Sequence, residues 1–203
     1  ESKESKKGQV VDAAMTDGSA LLMTMIYTMH SSGIWKTSMG SNLLDGGSHF
    51  YDTYECKDGK FISIGSIEPQ FYALLCQIAD LDEEVFGKQM SRDSWPEQKE
   101  VITKIFLKKT RDEWCDLMEG TDVCFAPVLD MSEAPKHPHN IERKTFIDLE
   151  GVTQPAPAPR FSRTEPEVVS SPSIVGEHTN EVLSSIGLSD EDISSLKTSG
   201  AVA

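Results

Sequence analysis

The side chain best suited to proton chemistry is Glu68, which follows the apolar run from Phe61 to Ile67 and directly precedes Pro69. A carboxylate at such a junction can act as a general base or orient one. It can equally cap the helix behind it, whose dipole favours negative charge there. Asp45, Asp52 and Glu55 are comparable by residue type alone, and the last two read first as hairpin surface charge. His137 and His139 flank Pro138 with no Cys nearby, so they read as a helix entry and no metal site is assigned. Met15, Met25, Met29 and Met39 form a second candidate. A methionine stripe at helical spacing is either core packing or a soft, adaptable surface for a bulky apolar ligand. Gly-rich phosphate loops, GxSxG elbows and HExxH zinc motifs do not occur.

The elements that must carry these groups follow from periodicity. Val10, Ala14, Leu21, Met25 and Met29 recur at helical spacing, which predicts one largely buried helix over residues 10 to 29. Gly33, Gly40 and Gly46-Gly47 divide the next stretch of chain into turns. The period then becomes two. Phe50 to Cys56 and Phe61 to Gly65 predict paired strands around Lys57-Asp58-Gly59-Lys60, a strong hairpin signal. A helix is predicted from Pro69, with Phe71, Leu74, Leu75 and Ile78 on one face. Ser94-Trp95-Pro96-Glu97 and Thr110-Arg111-Asp112-Glu113 read as capping boxes opening two more helices, the second ended by Gly120. Val123 to Leu129 predicts a short strand whose Pro127 favours an edge or a bulge. Gln154-Pro155-Ala156-Pro157-Ala158-Pro159 must be extended, and two short helices, ended by Gly187 and Gly200, complete the chain.

Composition narrows the function classes. Among 203 residues, 19 basic and 33 acidic side chains leave a net charge of −14, which argues against nucleic acid and against anionic lipid. No apolar run approaches a membrane span, so no membrane insertion is expected. Four well-separated cysteines, 56, 76, 115 and 124, predict free thiols in a reducing compartment. The polar lead-in from Glu1 to Lys7, without an initiator Met, reads as a surface turn cut open, so the chain is expected to be a fragment. The predicted organisation has three parts: residues 1–35, a helix and linker; 36–150, a compact α+β module; and 151–203, an extended crossing with terminal helices.

Several stretches resemble the α-methylacyl-CoA racemases, within the wider family III CoA-transferase superfamily. They are Lys7-Gly8-Gln9-Val10-Val11-Asp12-Ala13-Ala14-Met15, Asn42-Leu43-Leu44-Asp45-Gly46-Gly47, Gly65-Ser66-Ile67-Glu68-Pro69-Gln70-Phe71-Tyr72, Thr121 to Leu129, and Gly176-Glu177-His178-Thr179. The resemblance implies an α/β family III CoA-transferase fold, an interlocked homodimer. Residues 1–35 would end its large Rossmann-like domain, 36–150 would form the small α+β domain, and 151–203 would return to the large one. It implies epimerisation of 2-methyl-branched acyl-CoA thioesters in lipid metabolism, including branched-chain fatty acid and bile acid chemistry, in mitochondria or peroxisomes. Coenzyme A would be part of the substrate, with no separate cofactor. The principal His and Asp would lie upstream of this chain, leaving the isolated polypeptide inactive. Glu68 would support that His in the partner chain, orienting the imidazole and raising its pKa. Met15, Met25, Leu43, Leu44, Tyr51 and Ile67 would contact substrate. The alternatives are a family III CoA transferase working through an aspartyl anhydride, and an inactive module that dimerises with or regulates an intact relative.

Overall fold

The computed structural model describes residues 2–168 and 170–202. Glu1 of the polar lead-in and Ala203 of the terminal segment lie outside the described residues. Two compact units divide the chain after Val128.

The first unit is built on a three-stranded antiparallel sheet in the order β1-β2-β3: Tyr51–Glu55, Phe61–Gly65 and Phe125–Val128. The β1–β2 turn uses Gly59 at φ +74°, the conformation for which Asp-Gly was diagnostic. Alternation sends Tyr54, Ile62 and Ile64 to one face, where they are buried. Helices α4 (Pro69–Ile78), α6 (Trp95–Phe106) and α7 (Arg111–Met118) supply Tyr72, Leu75, Trp95, Ile102, Phe106, Trp114 and Met118 to the same core. Phe106 is its pivot, with ring centroids 5.1 Å from both Tyr54 and Trp114. The buried indole N–H groups are satisfied: Trp114 donates to the Phe106 carbonyl at 2.9 Å and Trp95 to that of Gln89 at 2.8 Å. A short α5 (Glu83–Phe86) adds Phe86. Pro127 sits on β3, an edge strand, opposite Ile62.

Two predicted details differ. Thr110 and Glu113 form the expected reciprocal capping box, but Ser94 does not cap α6. Ser94 is itself in the right-handed helical region and its hydroxyl turns to Ser91, so the helix starts at Trp95 with Pro96 in its first turn. The predicted helix over residues 10–29 is two helices, α2 (Met15–Leu22) and α3 (Thr24–Ser31), after a four-residue α1 (Ser2–Ser5). Thr24 donates its hydroxyl to the Leu21 carbonyl at 2.6 Å, and the Met23 N–H reaches back only three residues to Ala20, which tightens the turn at the break. No described residue of either helix is buried, so the expected burial is not found within this unit.

The second unit contains a 3-10 turn at Ala134–Lys136, α8 (Pro138–Glu142), a hairpin of β4 (Phe146–Leu149) and β5 (Val152–Pro155), then α9 (Thr179–Ser185) and α10 (Asp190–Thr198). Glu150 and Gly151 both take positive φ in a two-residue turn, and Asp148 accepts the Gly151 N–H at 3.0 Å. Ser189 and Asp192 cap α10 reciprocally. Among the described residues no helix is long and apolar enough to cross a membrane.

Candidate active site

The core occupies one face of the first sheet; the other face carries a groove of about 510 Å³. Register explains its floor. Tyr51 pairs with Gly65, and Thr53 with Ser63, which in turn pairs with Ala126, so small side chains line up across three strands. The Tyr51 ring lies against Gly65, where an added Cβ would touch it at 3.5 Å. Leu44, Gly46 and Cys124 also line it.

The loop bearing Leu44 is tightly knotted. Asn42 is fully buried, accepts the Lys36 N–H at 2.7 Å, and donates from Nδ2 to the Lys36 carbonyl at 3.0 Å and to Asp45 at 2.7 Å. Its own N–H donates to the second Asp45 oxygen at 2.7 Å. Burial opposes the Asp45 charge, but hydrogen bonds from Asn42, Gly47 and Gly40 outweigh it and hold the carboxyl below its ordinary range. Gly46 needs φ +85°, and a Cβ on Gly47 would stand 2.5 Å from the Asn42 carbonyl oxygen.

Glu68 is fixed by its backbone. Ser66, just before it, is buried, with its hydroxyl donating to the Val123 carbonyl at 2.5 Å. Gln89 donates to the carbonyls of both Ser66 and Ile67, at 3.0 and 2.9 Å. The Glu68 carbonyl then accepts the N–H groups of Phe71 and Tyr72, starting α4. Its side chain stands exposed and makes no capping hydrogen bond, so the carboxylate is not engaged in the simplest structural role. Partial burial, then the negative charges of Glu68 and Asp122, push the Cys124 thiol above its ordinary pKa, while Glu68 itself does not line the groove.

The other assigned residues fall in different places. Leu44 and Tyr51 come together in the groove. Leu43 and Leu44 also line a smaller cavity of about 170 Å³ with Met29, Ile34, Trp35 and Trp95. Ile67 packs partly buried on the core, one residue from Glu68. Met15 and Met25 are 88% and 60% exposed on α2 and α3, and neither lines the groove. All four thiols are free; burial first, and nearby carboxylates second, raise Cys56 and Cys115 to about 11, unlike an activated nucleophile. Among the described residues no three His, Cys, Asp or Glu side chains are arranged to hold a metal ion.

One contact beside the groove had no clear signal in the sequence. Lys99 of α6 donates to the Gly46 carbonyl and pairs with the Asp52 carboxylate. No motif marks it; the only available signal is a cation on the otherwise core-facing side of an amphipathic helix.

The family model for CoA-transferase family III matches residues 1–179. The chain belongs to CoA-transferase family III. As a family III chain it is 47% identical over 196 residues to the alpha-methylacyl-CoA racemase of Mus musculus, covering 95% of this chain and 51% of that protein. The Homo sapiens alpha-methylacyl-CoA racemase is 42% identical over 195 residues, with the same shares covered. The chain thus spans about half the length of the curated relatives it matches. A CAIB/BAIF family protein from Brucella suis superposes with a TM-score of 0.63 at 18% identity, covering 91% of this chain and 50% of that one, which shows the shared fold.

Proposed function

We propose that the protein carrying this family III chain is an α-methylacyl-CoA racemase, which removes the C2 proton of a 2-methyl-branched acyl-CoA thioester and delivers one to the opposite face. The observation that carries this reading is 47% identity to a racemase sustained over 95% of the chain. Racemisation needs a base and an acid on opposite faces of C2 and stabilisation of the enolate oxygen between them. The principal His and Asp are proposed to lie outside these 203 residues.

This chain's share is to orient and to bind. Glu68 is proposed to accept a hydrogen bond from the basic imidazole, fixing its tautomer and favouring its protonated form. Its exposed carboxylate, free of any capping bond, supports that role. Leu44 and Tyr51 are proposed to supply apolar walls for the acyl-CoA, supported by their convergence on one groove. Leu43 and Ile67 are proposed to back that surface, and Met15 and Met25 to lie along the path of the acyl chain. The working enzyme is proposed to be a homodimer acting in branched-chain fatty acid and bile acid metabolism, in mitochondria or peroxisomes. Coenzyme A enters only as part of the substrate.

The test offers the protein a 2-methylacyl-CoA with a free acid acceptor in deuterated buffer. Deuterium at C2 with loss of stereochemical purity is expected. CoA transfer to the acid without C2 exchange would replace this reading with a transferase.

A further inference from the structure

The strongest feature left unused is the ammonium group of Lys99. It bridges three segments that are distant in sequence: α6, which carries it; the 42–47 loop, through the Gly46 carbonyl; and β1, through Asp52. Lys99 and Asp52 are partly buried, with side-chain exposures of 34% and 25%. An ion pair shielded to this extent, with a further carbonyl in its shell, is more rigid than a solvated surface pair.

Its attachment points adjoin the groove walls. Asp52 comes directly after Tyr51, and Gly46 lies two residues after Leu44. The Asp52 carboxylate is doubly engaged: one oxygen pairs with Lys99 and the other accepts the Thr53 N–H at 2.8 Å. Gly46 in turn leaves only 3.5 Å between its notional Cβ and Asp52, so loop and strand are in contact at the point where Lys99 clamps them. The loop is already stiffened internally by Asn42 and Asp45. A stiff loop transmits one tether at Gly46 to the whole Leu43-Leu44 edge.

We propose that Lys99 is a positioning residue for acyl-CoA binding, clamping the 42–47 loop to β1 so that Leu44 and Tyr51 are held together in the lining of one groove. The inference rests on the racemase reading for its substrate and on geometry alone for the clamp. Lys99 touches no reacting atom, so its loss should act on binding and leave the chemical step intact.

The experiment has two arms. In hydrogen exchange on the 203-residue chain, Lys99→Met should speed exchange across residues 42–53 by about tenfold while leaving the interior amides of α6 unchanged. In the acyl-CoA racemisation assay, the same variant should raise KM about tenfold with kcat within about twofold, and Lys99→Arg should restore both readouts because a guanidinium can still bridge carboxylate and carbonyl. Unchanged exchange in the 42–53 segment would overturn the clamp. Faster exchange with an unchanged KM, in a protein whose turnover still depends on Glu68, would overturn the positioning role and leave the racemase reading standing. No C2 exchange by the unmodified protein would instead be the failure of that reading, with the exchange arm still deciding the clamp.

Discussion

Lowering the pH should destabilise the first unit through His49 before Asp45 takes up a proton. His49 is fully buried, its ring edge-on to Phe50 and Tyr72 and tilted against Phe86. The Tyr72 hydroxyl donates to the Phe86 carbonyl at 2.8 Å, so at its 2.8 Å contact with His49 it must accept, and Nε2 carries the proton. Nδ1 is then a bare, buried lone pair without a partner. A second proton would put charge and an unsatisfied donor into an aromatic cage, and burial accordingly lowers the His49 pKa from 6.5 to about 4. The stability due to neutral His49 is therefore complete above 6.5 and declines as pH falls toward 4, because the unfolded chain takes up the proton first. That interval corresponds to about 3 kcal/mol in all, and to about 2 kcal/mol between pH ~7.5 and ~5. Asp45, whose pKa is lowered from 3.8, loses its contribution only at lower pH. Urea unfolding of the chain at the two pH values measures the difference. His49→Gln, whose amide can still donate to Tyr72, should reduce the pH dependence by about the same 2 kcal/mol. A wild-type stability that is flat across this range, or a slope that persists in the variant, would refute the argument.

Two other predictions concern the scaffold. Gly47→Ala should destabilise the first unit by more than about 2 kcal/mol in urea unfolding, since its Cβ meets loop backbone at 2.5 to 2.6 Å and cannot be relieved by a side-chain rotation. Thr110→Ala should cost about 1 kcal/mol through the lost capping box, whereas Ser94→Ala should cost less than about 0.5 kcal/mol because Ser94 caps nothing.

The parts of the fold dictated by neighbouring residues could be read from the chain. Asp58-Gly59 between alternating strands, Pro69 at the start of α4, and Thr110 three residues before Glu113 each carry their own local cause, and each stands where that cause puts it. Ser94-Trp95-Pro96-Glu97 has the same spacing as the second box, but a preceding turn from Ser91 rotates Ser94 out of the capping conformation. The β4–β5 hairpin carries its own signal: Glu150-Gly151 between Phe146-Ile147 and Val152-Thr153 is a two-residue turn of the X-Gly type, masked by the prolines after it. Residues 10–29 have helical periodicity, but periodicity reports which face is apolar and says nothing of what covers it. The strand-to-helix junction that carries Glu68 was visible because it is local, whereas the proposed role of its carboxylate comes from the resemblance. The Lys99 bridge was not visible, because its partners Gly46 and Asp52 are about fifty residues away along the chain.

The most direct test of the racemase account is C2 proton exchange on a 2-methylacyl-CoA in deuterated buffer, comparing the protein carrying these residues with its Glu68→Gln variant and with the 203 residues alone. The account predicts rapid exchange with epimerisation in the first, a loss of about a hundredfold in kcat with unchanged folding in the second, and none in the third. Undiminished exchange by Glu68→Gln would remove Glu68 from the site. Robust exchange by the 203 residues alone would contradict the proposal that the principal acid–base pair lies outside them.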